Sequence, residues 1–253
     1  MPPLPAALLW DVDGTLAETE LQGHRRAFNR AFAEAGLPWR WDPAAYLELL
    51  AISGGRERLR HFLTAARGQP PDGAEVEALQ ASKTRHYTAL VAAGELALRP
   101  GVRRLMAEAA AAGVPQAIVT TSGRAAVQAL LERQLPQHSQ WLSLWICGED
   151  VGRKKPHPEA YQLALQRLGC AAASALAIED SANGVGAASA AGLAVLVTRS
   201  ASSAAEPAEA FAAAAAELDG LGDAEAPMRV RRGPACPGGR VTLSYLQHLL
   251  SAR

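Results

Sequence analysis

From Ala6 to Trp10 every side chain is apolar, and the next residue is an aspartate. A run this short is too brief for a helix. It reads as a buried strand that ends where the carboxylates begin. From Glu20 to Gly36 the period changes to helical: Leu21, Phe28, Phe32 and Ala35 are placed for one face, and Gly36 supplies the stop. Further helices are predicted over 43–51, 55–66 and 74–93, and no strand pattern occurs between residues 20 and 95. After LRPGV at 98–102 the pattern alternates. Helices are predicted near 102–112, 124–133, 158–168 and along SANGVGAASAAG from Ser181; strands at 116–120, 142–147, 174–180 and 193–197. Strands alternating with helices imply an α/β fold with a parallel, doubly wound sheet. The all-helical stretch is then an insertion after the first strand. The alanine-rich stretch 201–216 reads as helix or loose surface and is assigned no chemistry. The terminal SYLQHLL reads as a packing helix, with a partner-binding helix as the alternative.

The chain has 253 residues, 49% of them hydrophobic, enough for one large domain or a core with a smaller satellite. Lys+Arg and Asp+Glu both number 25, so the formal net charge is zero. Such a chain has no global field to draw in DNA, RNA or an acidic membrane, and an anionic ligand must be held by a local site. Cys147, Cys170 and Cys236 form no CxxC pair, which fits a reduced compartment and argues against a zinc site or disulfide framework. No apolar run approaches the roughly 18 residues of a membrane span, and the start of the chain lacks the basic flank of a secretory signal. A cytoplasmic protein is expected, with a bacterial cytosol or the plastid stroma of a photosynthetic eukaryote both fitting. Neither a nucleic acid nor a membrane is expected as partner.

In an open parallel sheet, ligands gather beyond the carboxyl ends of the strands. Asp11 and Asp13 follow the first strand, and Thr120, Thr121 and Ser122 follow the second. The loop beyond the third carries RKKPHP, and the fourth ends in Glu179 and Asp180. Carboxylates, hydroxyls and a lysine thus converge on one rim. Side chains alternate along a strand, so Asp11 and Asp13 can project to one side while Val12 packs on the other. Two carboxylates so close repel unless a cation joins them, and Asp180 could complete an oxygen-ligand site for Mg²⁺. The alternative is a turn and helix-cap cluster, since Asp and Gly favour turns; the acids at other strand ends argue against it. NGVGAAS, from Asn183, mimics part of a dinucleotide glycine loop, but it lacks the full spacing and follows acids that would repel a pyrophosphate. Ser181 reads instead as a helix cap, with glycines allowing close packing on the sheet.

DVDGT at 11–15 resembles motif I of the haloacid dehalogenase (HAD) superfamily of phosphotransferases. Thr120 matches the Ser/Thr of motif II, Lys155 the lysine of motif III, and EDSANG the acids of motif IV. The motifs stand in order at strand ends. The longer stretches LAETELQGHRRAFN, SGGRER and KKPHPEAY look like the CbbY subgroup, whose members dephosphorylate xylulose 1,5-bisphosphate beside the carbon-fixing enzyme of the Calvin cycle. The resemblance implies a discontinuous Rossmann-like HAD core, 1–18 and 96–253, with a helical type-1 cap over 19–95. It also implies an Mg²⁺-dependent phosphatase. Asp11 would attack phosphorus and carry an aspartyl-phosphate, and Asp13 would protonate the leaving oxygen and then activate water. Thr120, Lys155 and the metal would stabilise the phosphoryl oxygens. The metal would be held by the Asp11 carboxylate, the Asp13 backbone carbonyl and Asp180, with Glu179 supporting. The family lysine directly precedes proline, so Lys155 takes the role and Lys154 reads as solvated. Thr120 fits motif II better than Thr121, which with Ser122 is left to touch substrate. Trp10 stands where the family often has phenylalanine, and residues 200–237 match only loosely, so none is carried over.

The cap must choose among phosphomonoesters, and its candidates are Glu18, His24, Gly55, Arg56 and Lys83. Arg56 follows Gly54 and Gly55 at a predicted helix start, where an arginine fork and the helix N-terminus both favour a second phosphate. Arg58 and Arg60 read as exposed charges. His24 is a substrate contact or a surface or hinge histidine; Glu18 binds sugar hydroxyls or caps the next helix; Lys83 is open between substrate contact and none. Trp39 and Trp41 read as cap core. A monomer acting on a small phosphorylated sugar is expected. The alternatives are a mutase resembling β-phosphoglucomutase, a phosphoglycolate phosphatase or, from another class, a non-catalytic binding protein on the same scaffold. The presence of Asp11, Asp13, Lys155 and Asp180 together argues against the last.

Overall fold

The computed structural model describes residues 3–252; the expected core-domain ends at 1 and 253 lie outside the described residues. Strand β1 (Ala7–Trp10) leads into the insertion: a wide helical turn (Glu20–His24), then α1 (Arg25–Glu34), α2 (Pro43–Leu49), α3 (Gly55–Arg67) and α4 (Gly73–Ala92). The chain re-enters the core through α5 (Val102–Ala111), β2 (Gln116–Val119), α6 (Arg124–Gln134), the short α7 (His138–Trp141) and β3 (Leu144–Ile146). It continues with α8 (Glu159–Leu168), β4 (Ala175–Glu179), α9 (Ala182–Ala190) and β5 (Ala194–Thr198). Last come β6 (Ala216–Leu218), β7 (Val230–Arg232) and α10 (Leu243–Ser251).

The sheet has seven strands in the order β3-β2-β1-β4-β5-β6-β7. All neighbours are parallel except β6 and β7. Alternation sorts the side chains onto two faces. Leu8, Trp10, Ile118, Leu176 and Ile178 pack beneath α5, α6 and α10, while Leu9, Ala117, Val119, Ala177 and Val195 pack beneath α8 and α9. Both faces of β1 are therefore buried, which is why its sequence is uninterrupted apolar. The indole of Trp10 keeps its hydrogen bond by donating to Gln116 Oε1 at 3.0 Å. Strand order reverses at β1, with β2 on one side and β4 on the other, and this opens a crevice at its carboxyl end.

The inserted helices have a core of their own: Phe28, Phe32, Trp41, Tyr46, Leu59 and Leu63, with Trp39 packed against it. The rings of Phe28 and Trp41 lie 4.9 Å apart. Asp42 and Asp72 cap α2 and α4 through the Ala45 and Ala74 amides. The stretch expected to be helix or loose surface over 201–216 is mostly turns with one short helical turn at Ala208–Phe211, and its end is a strand. It folds as turns around Arg199, whose guanidinium lies 3.9 Å over the Phe211 ring, and then enters the sheet as β6. No helix among the described residues is long and apolar enough to cross a membrane.

Candidate active site

Asp11 sits one residue beyond β1, with its backbone amide still donating to Ile178 of β4 at 3.0 Å. Sheet pairing thus fixes its position. Lys155 reaches it from the loop before α8, and the buried ammonium donates to Asp11 Oδ1 at 2.8 Å, Glu179 Oε1 at 2.6 Å and the Val119 carbonyl at 2.7 Å. Burial opposes that charge, but the Asp11 and Glu179 carboxylates outweigh it and hold Lys155 above its ordinary value. Tyr161 of α8 donates to the same Glu179 oxygen at 2.5 Å. Glu179 can lie this close to α9 because residue 184 is glycine: a Cβ there would stand 1.9 Å from Glu179 Oε2.

Asp13 has different neighbours. Thr19 Oγ1 donates to its Oδ1 at 2.5 Å, Ser122 donates to Oδ2, and His24 Nε2 lies 2.8 Å from Oδ1. Lys83 Nζ stands 2.8 Å from His24 Nδ1. An ammonium can only donate, so Nδ1 accepts and the ring proton on Nε2 points at Asp13. The ring is stacked on Tyr87 at 4.3 Å. Burial would raise Asp13, but His24 and the hydroxyl donors win and hold it well below the usual carboxylate range. Asp11 is the reverse: burial pushes it well up, against the pull of Lys155. Lys83, without a carboxylate in contact, is pushed down by burial to about 8.

Asp11, Glu179 and Asp180 each bring a carboxylate oxygen into one group whose members lie within 4.8 Å of one another. Burial pushes Asp180 well up, and Asp11 and Glu179 push it further. A buried, all-oxygen set carrying more negative charge than Lys155 balances fits a hard divalent cation. The Asp13 carboxylate is turned away from this group. A cleft joins the parts, lined on the core side by Asp11, Asp13, Thr121, Lys155 and Asp180 and on the insertion side by Glu20, Ser53 and Arg58. Two carboxylates with different donors, a buried lysine and a buried acidic group meet at one strand-end crevice.

The haloacid dehalogenase-like hydrolase family model matches residues 5–192. The CbbY protein of a Cupriavidus necator plasmid is 46% identical over 229 residues, covering 88% of each chain. The CBBY-like protein of Arabidopsis thaliana is 39% identical over 87% of this chain and 70% of its own. The crystal structure of CbbY from Rhodobacter sphaeroides with phosphate is 41% identical and superposes with a TM-score of 0.80 over 86% of this chain and 95% of that one. An Asp-to-Asn mutant of the same protein, crystallised with xylulose-(1,5)bisphosphate, also gives 0.80, at 40% identity over 87% and 97%. The chain belongs to the haloacid dehalogenase-like hydrolases. It is an enzyme of the phosphatase kind.

Within this HAD-like hydrolase the remaining expected residues fall into two groups. Thr120 is buried at the end of β2, its amide donating to the Ile146 carbonyl and its hydroxyl accepting from Ser122 N at 3.1 Å. Thr121 faces the cleft, whereas Ser122, expected to touch substrate, is spent on Asp13. His24 and Lys83 act on Asp13 from behind rather than from within the cleft. Glu18 lies outside it, pairing with Arg99 at 3.2 Å and accepting from the Ala201 amide. Gly55 and Arg56 open α3, but Arg56 points to Glu77, with its Nε 2.7 Å from the carboxylate. Arg58, expected to be an exposed charge, is 6% exposed. It donates to the Leu49 carbonyl and the Tyr46 hydroxyl and faces the cleft. Lys154, expected to be solvated, donates to the Gly148 carbonyl at 2.8 Å and pairs with Glu57 at 3.5 Å. Glu20, Arg58 and the hydroxyls of Ser202 and Ser203 line the cleft without having been expected there. Arginines at 56, 58 and 60 look alike in sequence; only the tertiary position of Tyr46 separates them.

Proposed function

We propose that this chain is a Mg²⁺-dependent sugar-phosphate phosphatase that hydrolyses xylulose 1,5-bisphosphate to xylulose 5-phosphate and phosphate through an aspartyl-phosphate on Asp11. One observation carries the proposal: two carboxylates a residue apart face one cleft with opposite preparation, Asp11 clamped by Lys155 and Asp13 held by hydroxyl and imidazole donors. The bisphosphate complex of the Rhodobacter relative supports the substrate.

Lys155 occupies Asp11 Oδ1, which leaves Oδ2 to attack phosphorus while the bond to the sugar oxygen breaks. Asp13 is ionised in the resting site. An entering phosphate dianion raises its proton affinity, so it arrives at the reaction protonated and gives that proton to the departing sugar oxygen. Ionised again, it takes a proton from the water that attacks the aspartyl-phosphate and releases Asp11. The Thr120–Ser122 turn and Lys155 bear on the transferring oxygens. Asp11 and Asp180, with the Asp13 carbonyl and Glu179 in support, would hold Mg²⁺, which when bound supplies charge neutralisation at the phosphoryl group.

The insertion acts as the cap, the core being 1–18 and 96–253. A bisphosphate needs a cation at each end. Lys155 stands on the core wall and Arg58 on the cap wall, so the distal phosphate is assigned to Arg58, with Glu20 toward the sugar hydroxyls. Arg56, Gly55 and Glu18 would reach substrate only if the cap moved. Phosphate release with Mg²⁺ from xylulose 1,5-bisphosphate, ribulose 1,5-bisphosphate, phosphoglycolate and β-glucose 1-phosphate, with product sugars identified, tests the reading. Strong preference for the xylulose over the ribulose epimer is expected. Isomerised glucose phosphate without net phosphate release would make the enzyme a mutase instead.

A further inference from the structure

We propose that Ser200 is a positioning residue for the cation site: its hydroxyl fixes the Asp180 carboxylate in the orientation that ligates the metal. The inference rests on the metal reading above and adds a residue from the segment that no sequence motif reached.

Ser200 Oγ lies 2.6 Å from Asp180 Oδ2, and both residues are buried, at 3% exposure each. Ser202 Oγ and Ser203 Oγ stand 2.8 and 3.2 Å from the same hydroxyl, and the Ser203 amide donates to it at 3.2 Å. A hydroxyl has a single proton to give, and an ionised carboxylate can only accept. The proton of Ser200 therefore goes to Asp180, which leaves the two lone pairs of its oxygen to accept from the Ser203 amide and one neighbouring serine hydroxyl. A hydroxyl serving only to close its turn would accept from Ser203 N and have no reason to stand against a buried acid. With Oδ2 engaged, Oδ1 is the Asp180 oxygen that no donor among the described residues takes.

The serine is held in place from both sides. Its own amide donates to Ser203 Oγ at 3.0 Å. The preceding residue, Arg199, folds the 200–206 loop back on itself by donating to the Glu206 carbonyl at 2.7 Å and pairing with Glu217 at 3.4 Å. Arg99 donates to the carbonyls of Thr198, Arg199 and Gly14. Gly14, with φ +84°, leaves the space: a Cβ there would stand 2.0 Å from Asp180 Oδ2 and 2.9 Å from Ser200 Oγ. The contact is thus preformed, and hydrogen bonds of this kind to ligating carboxylates change metal affinity by roughly 10–100-fold when removed.

The test compares Mn²⁺ binding, read by electron paramagnetic resonance of the free ion, and Mg²⁺ binding by calorimetry in wild type and Ser200→Ala. The expected result is affinity weakened about 10–100-fold, with turnover recovered at saturating Mg²⁺ and an unchanged KM for substrate. Equal affinity in the two proteins overturns the proposal, as does weakened affinity with turnover that saturating Mg²⁺ fails to restore, since the hydroxyl would then act elsewhere. Should Ser200→Ala not fold, Ser200→Cys, with its weaker donor, answers by the same criterion. A wild type that binds neither ion refutes the cation site itself and this role with it.

Discussion

What each acid in the cleft can do is decided by its donors. Asp11 receives an ammonium that it shares with Glu179, so one oxygen is neutralised and the other stays available to phosphorus. Replacing it with asparagine removes the proposed nucleophile but keeps the shape, so Asp11→Asn should lose on the order of 10⁴-fold or more in turnover with an unchanged circular dichroism spectrum. Behind Asp13, Lys83 carries a charge that burial opposes, with a folded pKa of about 8 against an ordinary 10.5. The unfolded chain therefore keeps a proton that the folded one gives up between those values. Stability from this group is lowest below about pH 8 and rises as pH climbs toward 10.5. Chemical denaturation should show wild type gaining on the order of 2 kcal/mol relative to Lys83→Met between pH 8 and 10; a flat difference would contradict the buried charge. The core acids were legible because they follow short apolar runs that end at the rim, and Lys155 because it directly precedes the proline of KKPHP, as in the motif it resembles. Arg58 was not, because a charge that ends beneath a neighbouring helix looks in sequence like one that ends in water.

At the scale of elements, the site depends on helices pressed tightly against strand ends. Gly184, on the first turn of α9, makes room for Glu179, which in turn holds Lys155. Gly184→Ala should displace that carboxylate, cost about 1–3 kcal/mol from overpacking and depress turnover more than it depresses Tm would suggest. A variant with normal kinetics would mean that Glu179 tolerates the shift. The insertion depends instead on its aromatic core. Trp41→Ala should cost about 3–5 kcal/mol, and limited proteolysis should find its new cuts within the inserted helices. Strands β1 to β5 announced themselves through short, largely apolar runs, and α5, α6, α8 and α9 through the segments between them; α7, only four residues long, did not. Strands β6 and β7 did not, being three residues each. β6 hides in an alanine-rich stretch whose local preference is helical and which the sheet overrides.

Across the whole molecule, the insertion meets the core through an apolar seam, where Ala27, Tyr87 and Val91 of α1 and α4 join the buried cluster of α5 and α6, and through polar points. Among the polar points, Asn183 Nδ2 lies 3.2 Å from Ser53 Oγ and Lys154 pairs with Glu57. The excess negative charge at Asp11, Glu179 and Asp180 is likewise a property of the assembled fold, since the acids come from different strands. A cation that binds only there stabilises the native state. Mg²⁺ at 100 times its dissociation constant should contribute about 2.7 kcal/mol, raising Tm by roughly 5–10 °C, and Asp180→Asn should abolish the shift in thermal denaturation. The central claim remains chemical: the aspartate one residue past the first strand carries the phosphoryl group. Rapid-quench turnover of substrate labelled with ³²P at the 1-phosphate addresses it directly. The account predicts transient, hydroxylamine-labile label on the peptide containing Asp11, and none in Asp11→Asn. Full turnover with no label ever reaching the protein would contradict it.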